Sequence, residues 1–130
     1  MVFHKHIMVR ALVRNPVKSE AEAIEFLENL VPAIDMKIIK GPFAQYVDKP
    51  GNRGLTAMVM IETSHIAFHV WDEQEPGLLQ FDLYTCGELD KDIFFSALEN
   101  FFDIESGEWK LFDRAVAFLH LNEGSLPRAH

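Results

Sequence analysis

Between Ile66 and Cys86, apolar and polar side chains alternate with a period of two on both sides of a single turn, and no other pattern limits the possible folds as much. Ile66, Phe68 and Val70 alternate with His65, Ala67, His69 and Trp71; beyond Glu75-Pro76-Gly77, Leu79, Phe81 and Leu83 alternate with Gln80, Asp82, Tyr84 and Cys86. In extended backbone, successive side chains point to opposite faces of a sheet. Each segment therefore reads as a strand with one apolar face and one face that carries reactive groups. If the two strands are neighbours, His69 and Cys86 project from the same side of one sheet, and the apolar side needs a second layer.

Helical patterns elsewhere supply that layer. Ser19 with Glu22 three residues on is a capping-box signature, and Ala23, Ile24, Leu27, Leu30 and Val31 recur at helical spacing until Pro32. Asp90 caps a second helix with Ile93, Phe94, Ala97, Leu98 and Phe101 on one side. Residues 7–13, 36–39 and 55–61 read as strands, Glu62 to His65 as a hairpin corner, and 110–112 and 115–121 as one or two last strands around Asp113-Arg114. Residues 43–54 read as a loop around Asp48-Lys49-Pro50-Gly51-Asn52, and 122–130 as a loose polar tail. Two helices and about six strands predict one α+β domain over residues 1–130, a two-layer sandwich in which an antiparallel sheet carries both helices on one face. Ala67, Trp71 and Tyr84 make the other face too apolar to be fully wet, so it is expected to pack partly against a second protomer, as a homodimer or higher homo-oligomer.

Composition excludes several classes. The 130 residues are 48% apolar and 25% charged, as in a globular protein rather than a disordered one. A formal net charge of -8 without a Lys/Arg cluster argues against nucleic-acid binding, because phosphate counterions are released by clustered cations. No apolar run approaches the roughly 20 residues that cross a bilayer. A single Cys forms no internal disulfide and the N-terminus lacks a signal-peptide pattern, which makes the cytoplasm the expected compartment.

The candidate chemistry lies between Ile61 and Cys86. Ser64 stands between Thr63 and His65 at a corner, His69 follows five residues later, and Cys86 is the sole thiol, which together are the parts of a nucleophilic or self-processing site. Each has a plainer reading: Ser is a common turn residue, a lone Cys is usually a small buried hydrophobe, and Thr56 is a β-branched strand residue. His65, His69 and Cys86 lack the spacing of a zinc site, so no metal is expected.

The segments S-H-I-A-F-H-V-W and F-D-L-Y-T-C-G-E-L-D resemble the small prokaryotic S-adenosylmethionine decarboxylase proenzymes, over roughly residues 54–101. The resemblance implies self-cleavage between Thr63 and Ser64, which leaves a β chain ending at Thr63 and an α chain beginning with a pyruvoyl group made from Ser64. That carbonyl is the cofactor, condensing with the substrate's amine as a Schiff base and drawing off the electrons left by departing carbon dioxide. It also implies that His69 and Thr56 assist processing, that Cys86 reprotonates the decarboxylated carbon, and that the reaction feeds polyamine (spermidine) synthesis. Glu73 and Glu75 read as solvent-facing turn residues, although an acidic residue near that position could hold substrate hydroxyls.

Two departures bear on substrate. Thr63 stands where the family usually has Glu, and the segment Trp71 to Gly77 is about two residues longer than the family's turn. Besides S-adenosylmethionine, a smaller basic amino acid such as arginine or ornithine is therefore an alternative substrate. Another alternative is an unprocessed, non-catalytic homologue that acts as a dimerising or regulatory partner.

Overall fold

A computed structural model describes residues 4–128. Its chain order is β1 (Lys5–Arg14), α1 (Glu20–Ala33), β2 (Ile38–Val47), β3 (Gly54–Ile61), β4 (Ser64–Trp71), β5 (Gly77–Thr85), α2 (Lys91–Phe101), β6 (Asp103–Asp113) and β7 (Leu119–Leu126). The strands form one antiparallel sheet in the order β2-β3-β4-β5-β1-β6-β7. This is the expected α+β sandwich, with seven strands rather than about six.

The alternation in β4 and β5 decides which face is covered. Ile66, Phe68, Val70, Leu79, Phe81 and Leu83 are buried with Ile7, Val9, Ala11 and Val13 of β1, and they meet Phe26, Leu27, Leu30, Phe94, Phe95 and Leu98 of the helices. The Phe68 and Phe81 rings stack across the strand pair at 5.5 Å. Phe26 of α1 meets Phe102, just beyond α2, edge-on at 5.5 Å, so aromatic packing joins the helix layer to itself as well as to the sheet. The helices start as the sequence indicates: Ser19 Oγ accepts from the Glu22 N–H, and an Asp90 carboxylate oxygen accepts from Asp92 and Ile93. Pro32 does not stop α1. It sits in the last turn, where its missing N–H forfeits only the bond to the carbonyl of exposed Glu28. In α2 the buried side includes Phe95, while Ile93 is exposed.

Three segments depart from the sequence reading. The strand at 36–39 begins later and continues through residues 43–47, which were expected as loop, because their N–H and C=O groups pair with β3 across an irregular register. The first half of β6 had no alternation to reveal it, yet residues 103–109 pair with β1. The expected loose tail supplies β7, whose residues 122–126 pair with β6; residues 129–130 lie outside the described residues.

The uncovered face can be followed across the sheet by register. One row runs Phe43, Met58, Ala67, Asp82, Met8, Lys110. A row to one side runs Thr56, His69, Gln80, Arg10, and a row to the other runs Met60, His65, Tyr84, His6. Among the described residues, no helix is long and apolar enough to cross a membrane.

Candidate active site

The sequence candidates separate into two groups at opposite ends of β4. At its start, Ile61 and Ser64 are paired, so Glu62 and Thr63 form the whole corner between β3 and β4. Ser64 also pairs with Thr85 on β5, and just beyond that pair the Cys86 N–H donates to the Thr63 carbonyl oxygen at 2.9 Å. The carbonyl one bond from Ser64 is thus polarised by a fixed backbone donor, in the manner of an oxyanion hole. Ser64 itself has φ 147°, a conformation that a non-glycine residue seldom adopts and that costs about 1–3 kcal/mol. Strain therefore falls on the peptide that would be cut. Cys86 is partly buried, and the Thr85 hydroxyl is fully buried.

On the open face beside this corner, Tyr84 is ringed by groups that sequence reasoning left unassigned. Its hydroxyl lies 3.3 Å from His4 Nδ1, and the Arg114 guanidinium lies over its ring at 4.3 Å. His6 Nε2 is 2.9 Å from Asp82 Oδ1, while Arg114 lies 3.4 Å from His6 Nδ1. Arg114 has no acceptor, so it donates to Nδ1, and the His6 proton then sits on Nε2 facing Asp82. Strand parity alone could have put His6 and Tyr84 on this face. Arg114 follows the end of β6 and could be placed only by tertiary structure.

At the far end of β4, Thr56 and His69 are register partners, with Oγ1 and Nδ1 2.9 Å apart. Trp71 stacks beside His69 at 5.7 Å between centroids and donates its indole N–H to Asn52. Gly54 opens β3 here because a Cβ at that position would run into the Val70 carbonyl. A cavity of about 260 Å³ is lined by Thr56, His69, Trp71 and Asn52 among others. Another of about 310 Å³ lies against Trp71, Glu73, Arg53 and Arg10. Nearby, the Tyr46 hydroxyl donates to Asp72 at 2.8 Å, and the adjacent carboxylate holds the phenol's pKa above its ordinary value. The two turn carboxylates diverge: Glu73 accepts from the Arg53 N–H, whereas Glu75 accepts from the Asn15 N–H and lines neither cavity.

The expectation for His69 and Cys86 is a shared side of one sheet, and that does not amount to closeness at the corner. β4 and β5 are indeed neighbours, but His69 faces Gln80, while Cys86 lies past the end of β5 opposite Thr63. Five residues of extended strand separate His69 from Ser64, roughly 17 Å at about 3.3 Å per residue. Within one chain the two imidazole nitrogens cannot reach the corner. The described residues contain no group of three or more His, Cys, Asp or Glu that could hold a metal ion.

Comparison with known proteins identifies a family. The family model described as S-adenosylmethionine decarboxylase matches residues 6–115, a span that includes both ends of β4. The S-adenosylmethionine decarboxylase proenzyme of Archaeoglobus fulgidus is 26% identical over 93 residues, or 70% of this chain and 78% of that protein. The proenzyme of Thermoplasma acidophilum is 31% identical over 74 residues, 53% of each chain, and that of Persephonella marina 33% over 75 residues, 58% of this chain and 50% of that one. The match thus spans about half the length of the latter two. With the family match running from β1 past the end of β6, the chain belongs to the S-adenosylmethionine decarboxylase family.

Proposed function

We propose that this chain is a proenzyme that cuts itself between Thr63 and Ser64 and then acts as a pyruvoyl-dependent decarboxylase of S-adenosylmethionine, in polyamine synthesis. The observation that carries the reading is the corner itself: a strained Ser64 next to a carbonyl already held by the Cys86 N–H. These residues fit a group made from Ser64, since the serine and the polarised carbonyl are adjacent. Once formed, the pyruvoyl carbonyl supplies an electron sink for loss of carbon dioxide.

Processing needs only the chain and water. Ser64 Oγ bonds to the Thr63 carbonyl carbon, the Thr63–Ser64 C–N bond breaks, and the hydroxyl proton ends on the freed nitrogen, which leaves an ester. A base then takes the Ser64 Cα proton, the Cβ–O bond breaks, and Thr63 departs as a carboxylate. The enamine left at residue 64 becomes an imine, which water hydrolyses to a ketone with release of ammonia. In this reading, His69 is the base, acting through the Nε2 that its bond to Thr56 leaves open, and Thr56 holds the ring. Cys86 donates the proton to the carbon that carbon dioxide leaves. Glu73 borders the cavity beside Trp71 and is assigned to the substrate's hydroxyls; Glu75 faces away and is not.

Because His69 is too far from Ser64 in its own chain, we assign the two groups of one site to different protomers. The open sheet face supports such a homodimer: Met8, Phe43, Met58 and Met60 are 41–54% exposed on it. A two-fold axis that lies between the two sheet faces and runs across the strands lays the Thr56–His69 end of one copy over the Ser64–Cys86 end of the other. Denaturing mass spectrometry tests the whole reading. Two fragments divided at Thr63/Ser64, and one uncut inactive chain for Ser64→Ala, are expected. A wild-type chain that stays intact at neutral pH would overturn it and leave a non-catalytic partner.

A further inference from the structure

We infer that Thr85 is a positioning residue for self-cleavage, acting through the side chain of Thr63; the inference rests on the reading above. Thr85 is the one polar residue among the fully buried side chains described, with 0% exposure. A buried hydroxyl needs partners, and both partners of this one lie at the corner. Its oxygen accepts the Gly87 N–H at 3.0 Å, and its proton goes to Thr63 Oγ1 at 2.8 Å. Gly87 admits this contact. A Cβ there would press on Thr63 Cγ2 at 3.2 Å.

Residue 63 is therefore held to the end of β5 at two points, its carbonyl by the Cys86 N–H and its side chain by Thr85. One point would leave the Thr63–Ser64 peptide free to rotate about the other and to relax the φ of Ser64 toward an ordinary value. Two points fix the plane of the carbonyl relative to the Ser64 Oγ, and so keep the strain on the bond that breaks. The arrangement also accounts for a threonine at position 63. A side chain with a hydroxyl on Cβ reaches Thr85 from the corner, and its methyl fills the space that Gly87 leaves.

Cleavage rate, read as the fraction of cut chain by mass over time, separates this role from mere packing. Thr85→Val keeps the shape and removes the hydroxyl, and is expected to slow cleavage by about tenfold, the worth of one buried hydrogen bond. Thr85→Ser restores the bond and the rate. Thr63→Val, at a partly exposed position, removes the shared bond but leaves Thr85 its Gly87 partner, so it slows cleavage by no more than Thr85→Val does, and the double variant is no slower than Thr85→Val alone, because the bond between the two side chains is already gone. Hydroxylamine, which cleaves esters, releases no additional fragment from Thr85→Val, since the slowed step precedes the ester. Should Thr85→Val fail to fold, Thr63→Ser against Thr63→Val makes the same comparison. Cleavage at the wild-type rate in either valine variant, effects that multiply in the double variant, or an ester that accumulates would each overturn the role of Thr85. An uncut wild-type chain would instead overturn the reading of the site on which it rests.

Discussion

Replacing one sulfur atom at Cys86 separates the two reactions assigned to the corner. Its N–H donates to the Thr63 carbonyl and survives any substitution but proline, whereas its thiol is proposed to serve the decarboxylation alone. Cys86→Ser is therefore expected to be cut at Ser64 as before, and to release carbon dioxide roughly 10²- to 10⁴-fold more slowly, the usual worth of a positioned acid. Carbon dioxide release measured alongside α-chain mass checks this, and an unchanged rate would make the thiol structural. His69→Ala is expected instead to leave the chain uncut, and so without decarboxylation as well, because the proposed base is gone. Thr56→Val frees the imidazole from its 2.9 Å partner, and a slowing smaller than that of His69→Ala is expected, because the base survives but is no longer held.

Strand β4 carries one group of candidate residues at each end, and its pairing sets the distance between them. Gly54 is the element-level control, because a side chain there meets the backbone of Val70 and Trp71 and has nowhere to move. Gly54→Ala is expected to push the start of β3 away from β4, cost about 1–3 kcal/mol of stability by overpacking, and lengthen the Thr56–His69 contact. Urea unfolding together with the cleavage rate measures both effects. Capping gives a second test at this scale. Asp90→Ala removes the acceptor at the start of α2 and should cost about 1 kcal/mol in urea.

At the scale of the whole molecule, the sheet carries helices on one face and a broad, half-apolar surface on the other. If a second copy covers that surface, a carboxylate placed in its middle row should split the pair. Met58→Glu is expected to sediment as a monomer and to remain uncut, since each site then lacks its His69. Complementation makes the sharing visible: Ser64→Ala and His69→Ala are each intact alone, but when mixed and refolded together only the His69→Ala chain is cut. Cleavage of His69→Ala on its own would show that no imidazole from a partner is needed.

What the sequence determined by itself was local. The period-two alternation at 66–85 fixed which residues of β4 and β5 are buried, because a one-residue slip would invert every side chain, and Ser19 and Asp90 marked the helix starts by the N–H groups they accept from. Ser64, His69 and Cys86 could be singled out by residue type and position along the chain, whereas Thr56 and Thr63 became candidates through the family resemblance. Of strands β2 and β7 only the first two or three residues were legible. They lie at the sheet edges, pair on one side only, and keep few buried positions, so hydrogen bonding rather than periodicity makes them strands. Nor could spacing tell which candidates meet. Only tertiary structure decided that Thr56 and His69 share a bond, that Thr63 is gripped from Thr85 and Cys86, and that β4 holds these groups about 17 Å apart, because distance along a strand is fixed by backbone rise whatever chemistry the side chains carry.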